Sequence, residues 1–143
     1  MPKNNAQPDP ELADRLRAAT ARLHRRLRRE ATAGLTPSQS MVLATIGRLG
    51  GPTLKELAEE EQVMPSSMTR VAEALTSAGL VDRRTDDTDR RVSRLTLTPA
   101  GQRTLKAVRE ARTAYLAERL AELNGVDEEQ LRKAVELLEA MGQ

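Results

Sequence analysis

Apolar residues recur every three or four positions through most of the chain, which predicts α-helices. The first such segment covers residues 11–33 and carries a single apolar stripe, formed by Leu12, Leu16, Ala19, Leu23 and Leu27. The second, residues 36–49, is apolar on nearly all sides, so we predict that it forms the buried centre of the domain. A helix of about six turns over residues 99–124 and a last helix from residue 127 complete this pattern.

Two shorter helices are predicted in the middle of the chain, over residues 53–62 and 65–78. The first begins with a capping box at Thr53, in which two side chains satisfy backbone N–H groups of the first turn. Pro65 suits the first position of the second helix, and Gly79 suits its left-handed end. The exposed half of this second helix carries hydroxyl side chains and an arginine, which allow a helix to approach base edges and phosphates.

A charged β-hairpin follows the second short helix. Residues 80–85 and 92–97 are extended runs, and the latter alternates apolar and polar positions as a half-buried strand does. Burying residues 86–91 would cost too much because five of the six are charged, so we expect this segment to project as a loop. Helix, turn, helix and hairpin together predict a mainly α (α+β) fold, a winged helix-turn-helix within one structural domain.

The residues of this central region resemble the MarR (multiple antibiotic resistance regulator) family. The resemblance depends on the order of five motifs: Leu54-x-x-Leu57-Ala58, Pro65-Ser66-x-Met68-Thr69-Arg70, Leu75-x-x-x-Gly79-Leu80-Val81, Asp89-Arg90-Arg91 and Leu95-Thr96-Leu97-Thr98-x-x-Gly101. It extends over nearly the whole chain outside the first ten residues and is most specific in the hairpin and the strand-to-helix join. Met64 departs from the family pattern, which often has Ser or Thr there to cap the recognition helix.

The resemblance implies which residues contact double-stranded DNA. Four residues of the second short helix should enter the major groove: Ser66, Ser67, Thr69 and Arg70. Arg70 would contact guanine directly, and the alternative for it is an ion pair with Glu73. In the hairpin, Asp89 should orient Arg91, and either Arg90 or Arg91 should reach the minor groove. The alternative for these three charges is a solvated hairpin tip.

Three amphipathic helices lie outside the winged lobe of residues 35–98. We expect residues 11–33 and 99–142 to form a dimerisation region and residues 1–10 to form a disordered tail. The interface would contain the apolar positions Leu12, Leu16, Leu116, Leu120, Leu131 and Leu138. Alternatively, these helices cover the core of a monomer. A two-fold dimer would hold two recognition helices about one DNA turn (~34 Å) apart, the spacing that reads a pseudo-palindromic operator.

The implied function is therefore a sequence-specific transcriptional regulator, a dimeric repressor that a small anionic or phenolic effector releases from its operator. The residues that would bind the effector are unknown. The alternative function is a winged-helix module that contacts protein and does not bind DNA.

The amino-acid composition argues against several other functions and kinds of binding site. Aromatic residues make up 1% of the 143 residues, which argues against a base-stacking platform for single strands. Cysteine is absent, which excludes disulfides and zinc–thiolate sites. His24 is the one histidine. We interpret it as a surface residue, and the alternative is that it lines an effector pocket. We therefore expect no enzyme activity, no metal and no cofactor. Without an apolar run of about 18 residues we expect no membrane span and a cytoplasmic location.

Overall fold

The computed structural model describes residues 9–30 and 32–142 and arranges them in six α-helices and one two-stranded antiparallel sheet. The elements in chain order are α1 (Pro10–Glu30), α2 (Pro37–Leu49), α3 (Leu54–Glu60), α4 (Pro65–Ser77), β1 (Val81–Thr85), β2 (Ser93–Leu97), α5 (Pro99–Glu122) and α6 (Glu128–Met141). The two strands pair in register from Val81 opposite Leu97 to Thr85 opposite Ser93. The predicted mainly α winged helix-turn-helix is confirmed.

The first helix is shorter at its carboxyl end than the predicted range 11–33. It ends at Glu30, and a tight turn follows in which the Leu35 N–H donates to the Thr32 carbonyl at 3.0 Å. Ala33 and Gly34 both have positive φ in this turn (48° and 81°), which cannot continue a right-handed helix. The first eight residues of the predicted tail lie outside the described residues, and Pro10 already belongs to α1.

Side-chain caps fix where most helices begin. Thr36 and Thr53 form complete capping boxes at the starts of α2 and α3, and the Thr98 hydroxyl accepts the Gly101 N–H at 3.0 Å at the start of α5. Asp127 caps α6 by accepting two backbone N–H groups. By contrast, Met64 precedes α4 and provides no side-chain hydrogen bond.

Helix α2 is the centre of the winged lobe, as predicted. Its residues Val42, Leu43 and Ile46 are at most 1% exposed. They belong to one cluster with buried residues of α3, α4 and the sheet: Leu57, Ala58, Met68, Ala72, Leu75, Leu80, Val81 and Leu95. The beginning of α5 packs on the same lobe through Leu105, which belongs to this cluster. This arrangement places α4 and the β-hairpin on one rigid body.

The terminal helices bury far less. Neither α1 nor α6 contains a fully buried residue, and α6 has no extensive contact with another element in the described structure. Of the six predicted interface positions, Leu12, Leu16 and Leu138 are exposed, whereas Leu116, Leu120 and Leu131 are half-buried. No helix within residues 9–30 and 32–142 has the length and apolarity needed to span a membrane.

Candidate nucleic-acid interface

Helix α4 has one buried face and one open face. Met68, Ala72 and Leu75 are at most 1% exposed and fix the helix to the core of the lobe. Ser66, Ser67 and Arg70 are exposed, and Thr69 is half-buried. The Thr69 hydroxyl donates to the Pro65 carbonyl at 3.0 Å, which leaves its oxygen lone pairs available to accept.

The side chain of Arg70 is exposed to solvent. The alternative ion pair with Glu73 does not form, and no other carboxylate of the described chain pairs with Arg70. A planar guanidinium that projects from the open face of a helix can donate two parallel hydrogen bonds to guanine O6 and N7.

The hairpin loop folds around the carboxylate of Asp86. Its Oδ1 accepts the Thr88 N–H at 2.8 Å, the Thr88 hydroxyl at 2.5 Å and the Asp89 N–H at 3.1 Å, while Oδ2 accepts from Arg94 Nε. The Thr88 hydroxyl first, and then the Arg94 guanidinium, hold the pKa of Asp86 far below its usual range. This carboxylate therefore stays ionised and keeps the loop ordered.

Residues 86–91 lie in the predicted loop between β1 and β2, but within this loop the side chain of Asp86 is only 10% exposed. Burial of a charge is unfavourable when the charge has no partner. Here four donors satisfy the two carboxylate oxygens, so the cost is offset.

Arg94, on β2, ties the hairpin to the body of the lobe. Its Nη1 donates to the Gly51 carbonyl at 2.9 Å and lies 3.7 Å from Glu56 Oε2. The bond to Asp86 is the main reason that the pKa of Arg94 is raised. The Leu95 N–H also donates to the Pro52 carbonyl at 2.9 Å, so the hairpin base is fixed against the turn between α2 and α3.

The tip of the hairpin brings Asp89 and Arg91 together, as the resemblance implied. Asp89 Oδ1 accepts the Arg91 N–H at 3.0 Å, and Arg91 Nε lies 3.8 Å from the same oxygen. The Arg91 side chain nevertheless remains 95% exposed. Arg90 is exposed as well and, within the described residues, has no ion-pair partner. The tip thus presents two arginines on a loop with a fixed backbone.

Sequence reasoning missed Asp86 and Arg94, which shape the hairpin. One signal was available: Arg94 occupies a polar position in the alternation of β2, eight residues from an aspartate across a hairpin loop. In the hairpin Arg94 lies opposite Arg84, which makes Asp86 a diagonal neighbour that a long side chain can reach.

Chemistry other than binding has little support in this region. Residues 9–30 and 32–142 contain no group of three histidine or acidic side chains that could bind a metal ion. His24 lies exposed on α1, outside the winged lobe.

Comparisons with known proteins agree with the fold. A model of the MarR family matches residues 35–93. An uncharacterised HTH-type transcriptional regulator of Mycobacterium bovis is 40% identical over 93% of this chain and 94% of its own length. The HTH-type transcriptional repressor MdtR of Bacillus subtilis is 37% identical over 71% of this chain and 64% of its own length.

Solved structures extend the likeness to the terminal helices. The structure of a MarR family protein from Bacillus stearothermophilus superposes with a TM-score of 0.72 at 28% sequence identity, over 93% of this chain and 94% of that one. These relatives are regulators of transcription and not enzymes. The chain therefore belongs to the MarR family and is a DNA-binding helix-turn-helix transcriptional regulator.

Proposed function

We propose that the protein works in the cytoplasm as a homodimeric repressor that binds a pseudo-palindromic operator and is released from it by a small-molecule effector. One observation supports DNA binding best: both α4 and the hairpin present arginines to solvent. The Arg70 guanidinium on α4 has no carboxylate partner within the described residues, and the hairpin, whose backbone is fixed, carries two exposed arginines. Such groups can bind phosphates and base edges at little cost, because Arg91 has only a loose contact of 3.8 Å with Asp89 to give up.

In this proposal α4 enters the major groove. Ser66, Ser67 and Thr69 contact phosphates and base edges, and Arg70 reads a guanine. The hairpin reaches the adjacent minor groove with Arg91 or Arg90. Asp89 limits the directions in which the Arg91 side chain extends. Their contact is loose, so the guanidinium group stays in solvent and can still reach DNA.

Dimerisation is supported by the apolar side chains that one protomer leaves in water. The terminal helices expose a row of large apolar residues: Leu12, Leu16, Leu23, Leu123, Val126, Val135, Leu137, Leu138 and Met141. Nine exposed large apolar residues within these segments are more than the scattered single residues that a monomer normally exposes. Helix α6 does not cover the protomer's own core in the described structure, which disfavours the monomer alternative. In a dimer, these exposed apolar residues would pack against those of a second copy of the chain.

Repression is supported by the similarity to the repressor MdtR. The proposed small anionic or phenolic effector would release DNA if it binds two arrangements of the winged lobes with unequal affinity.

Selection from a random-sequence duplex library, followed by fluorescence anisotropy on the selected duplex, tests the proposal. Arg70→Ala should weaken binding by about 1–3 kcal/mol and relax the preference at one base pair. Arg91→Ala should weaken binding of all duplexes and reduce the salt dependence by about one counterion per half-site.

Arg132→Ala serves as the matched control, because Arg132 is an exposed arginine of α6 in an ion pair with Glu128. Its affinity for the duplex should equal that of the wild type. Selection that enriches no sequence, with equal binding by all three variants, would exclude operator recognition and favour a module that contacts protein.

A further inference from the structure

Met64, directly before α4, is the most exposed large apolar residue of the winged lobe. Its side chain is 70% exposed, whereas the two other exposed apolar residues described in the lobe, Leu49 and Val63, reach 41% and 37%. All remaining exposed apolar residues of the described chain lie on the terminal helices or beside them. The proposed dimer therefore explains the exposed apolar residues of the terminal helices, but it does not explain why Met64 is exposed.

The position of Met64 is fixed even though its side chain is open. Its backbone is extended (φ −63°, ψ 137°), and its carbonyl accepts the N–H groups of Ser67 at 3.0 Å and Met68 at 3.1 Å. Met68 is fully buried, so the first turn of α4 holds Met64 in place. The side chain itself provides no cap. Serine at this position could cap the amino-terminal end of α4 with its hydroxyl, which methionine cannot do. Methionine therefore does not serve to stabilise α4.

An exposed apolar side chain beside Ser66 and Ser67 matches one feature of a DNA groove. The amino-terminal residues of a recognition helix contact base edges. The thymine C5-methyl is the one apolar group that the base edges present in the major groove. Methionine suits such a contact because its flexible, polarisable thioether adapts to a small apolar partner.

We propose that Met64 is a specificity-determining residue that packs against a thymine methyl group in each half-site of the operator. This inference rests on the proposed function, since it needs α4 to lie in the major groove. Met64 thus selects thymine at one base pair of each half-site, and Arg70 reads another.

Deoxyuridine scanning tests the contact, because replacing thymine by uracil removes only the methyl group. The probe is the duplex selected by the wild-type protein, with each symmetric pair of thymines replaced in turn. For the wild type, one pair should lower the affinity roughly fourfold per half-site, the factor that corresponds to one methyl group left unburied. For Met64→Ser the same replacement should have no effect, and for Met64→Leu the effect should persist.

Leu49→Ser is the matched control, because it also removes an exposed apolar side chain from the lobe. It should respond to uracil as the wild type does. The melting temperature of Met64→Ser should not fall, since serine can cap α4, and this separates lost recognition from lost folding. The inference is overturned if the wild type tolerates uracil everywhere or if Met64→Ser keeps the wild-type response. Selection of no duplex at all would instead refute the proposed function itself.

Discussion

Gly101, in the first turn of α5, provides the sharpest test of how the hairpin is joined to the long helix. A Cβ built on Gly101 would lie 2.0 Å from the Leu80 carbonyl oxygen, whereas ordinary contacts begin at 3.4 Å. Gly101→Ala must therefore move backbone by more than 1 Å, because a carbonyl cannot rotate away as a side chain does. The same carbonyl accepts the Thr98 N–H at 3.1 Å, so the movement also strains that hydrogen bond.

The expected cost combines three terms. Overpacking costs about 1–3 kcal/mol, and the strained hydrogen bond adds about 1 kcal/mol. Alanine has a better helix propensity than glycine and stabilises the helix by about 1 kcal/mol. On balance the free energy of unfolding should fall by about 1–3 kcal/mol. For a chain of 143 residues the unfolding entropy is about 300 cal/mol/K. The melting temperature should then drop by roughly 3–10 °C.

Thermal unfolding followed by circular dichroism at one protomer concentration measures this drop. Two other glycines give a graded control. In Gly47→Ala the new Cβ would meet only side-chain atoms of Leu105 and Leu97, at 3.0 and 3.1 Å, so the loss should be smaller. In Gly142→Ala the nearest atoms lie at 3.6 Å or beyond, and stability should hardly change. Equal melting temperatures for the Gly101 and Gly142 variants would refute the close approach of α5 to Leu80.

Three further predictions concern the wing, the dimer and a helix cap. Asp86→Asn should weaken duplex binding about as much as Arg91→Ala does. Because the pKa of Asp86 is lowered in the folded state, its stabilisation is complete above the ordinary pKa of about 3.9. The wild-type melting temperature should lose this contribution as pH falls toward the lowered pKa, and that of Asp86→Asn should not. Leu138→Glu should shift sedimentation from dimer to protomer, since it places a charge in the exposed stripe of α6. Thr53→Ala should cost about 1 kcal/mol in chemical denaturation, whereas Thr113→Ala, in an exposed helical position, should stay within about 0.5 kcal/mol.

The parts of the fold that depend on near neighbours in sequence were predictable. The capping boxes at Thr36 and Thr53 involve residues three positions apart. The left-handed Gly79 (φ 71°) ends α4 through hydrogen bonds that reach back no further than Leu75. Hydrophobic periodicity identified α2 as the centre because an element that is apolar on all sides has no face to give to solvent.

The interior of the hairpin was not predictable in the same way. Arg94 bonds to a carbonyl 43 residues away, and no local pattern reports a partner at that distance. Counting charges predicted that residues 86–91 form a loop outside the core, but it does not tell which charge has protein partners. At Asp86 these partners are backbone N–H groups, a hydroxyl and a guanidinium. The assignment of individual arginines to DNA grooves stays a prediction.

Helix α5 belongs to both halves of the molecule, and this has a mechanical consequence. Its first turns pack against the winged lobe at Gly101 and Leu105, whereas no residue from Arg109 to Glu122 is fully buried in the protomer. A helix of 24 residues is about 36 Å long. If a partner subunit holds the far end, a tilt of about 10° moves the lobe by about 6 Å, nearly two base-pair rises. In the proposed function, a small tilt about that far end would therefore shift α4 relative to the DNA that it contacts.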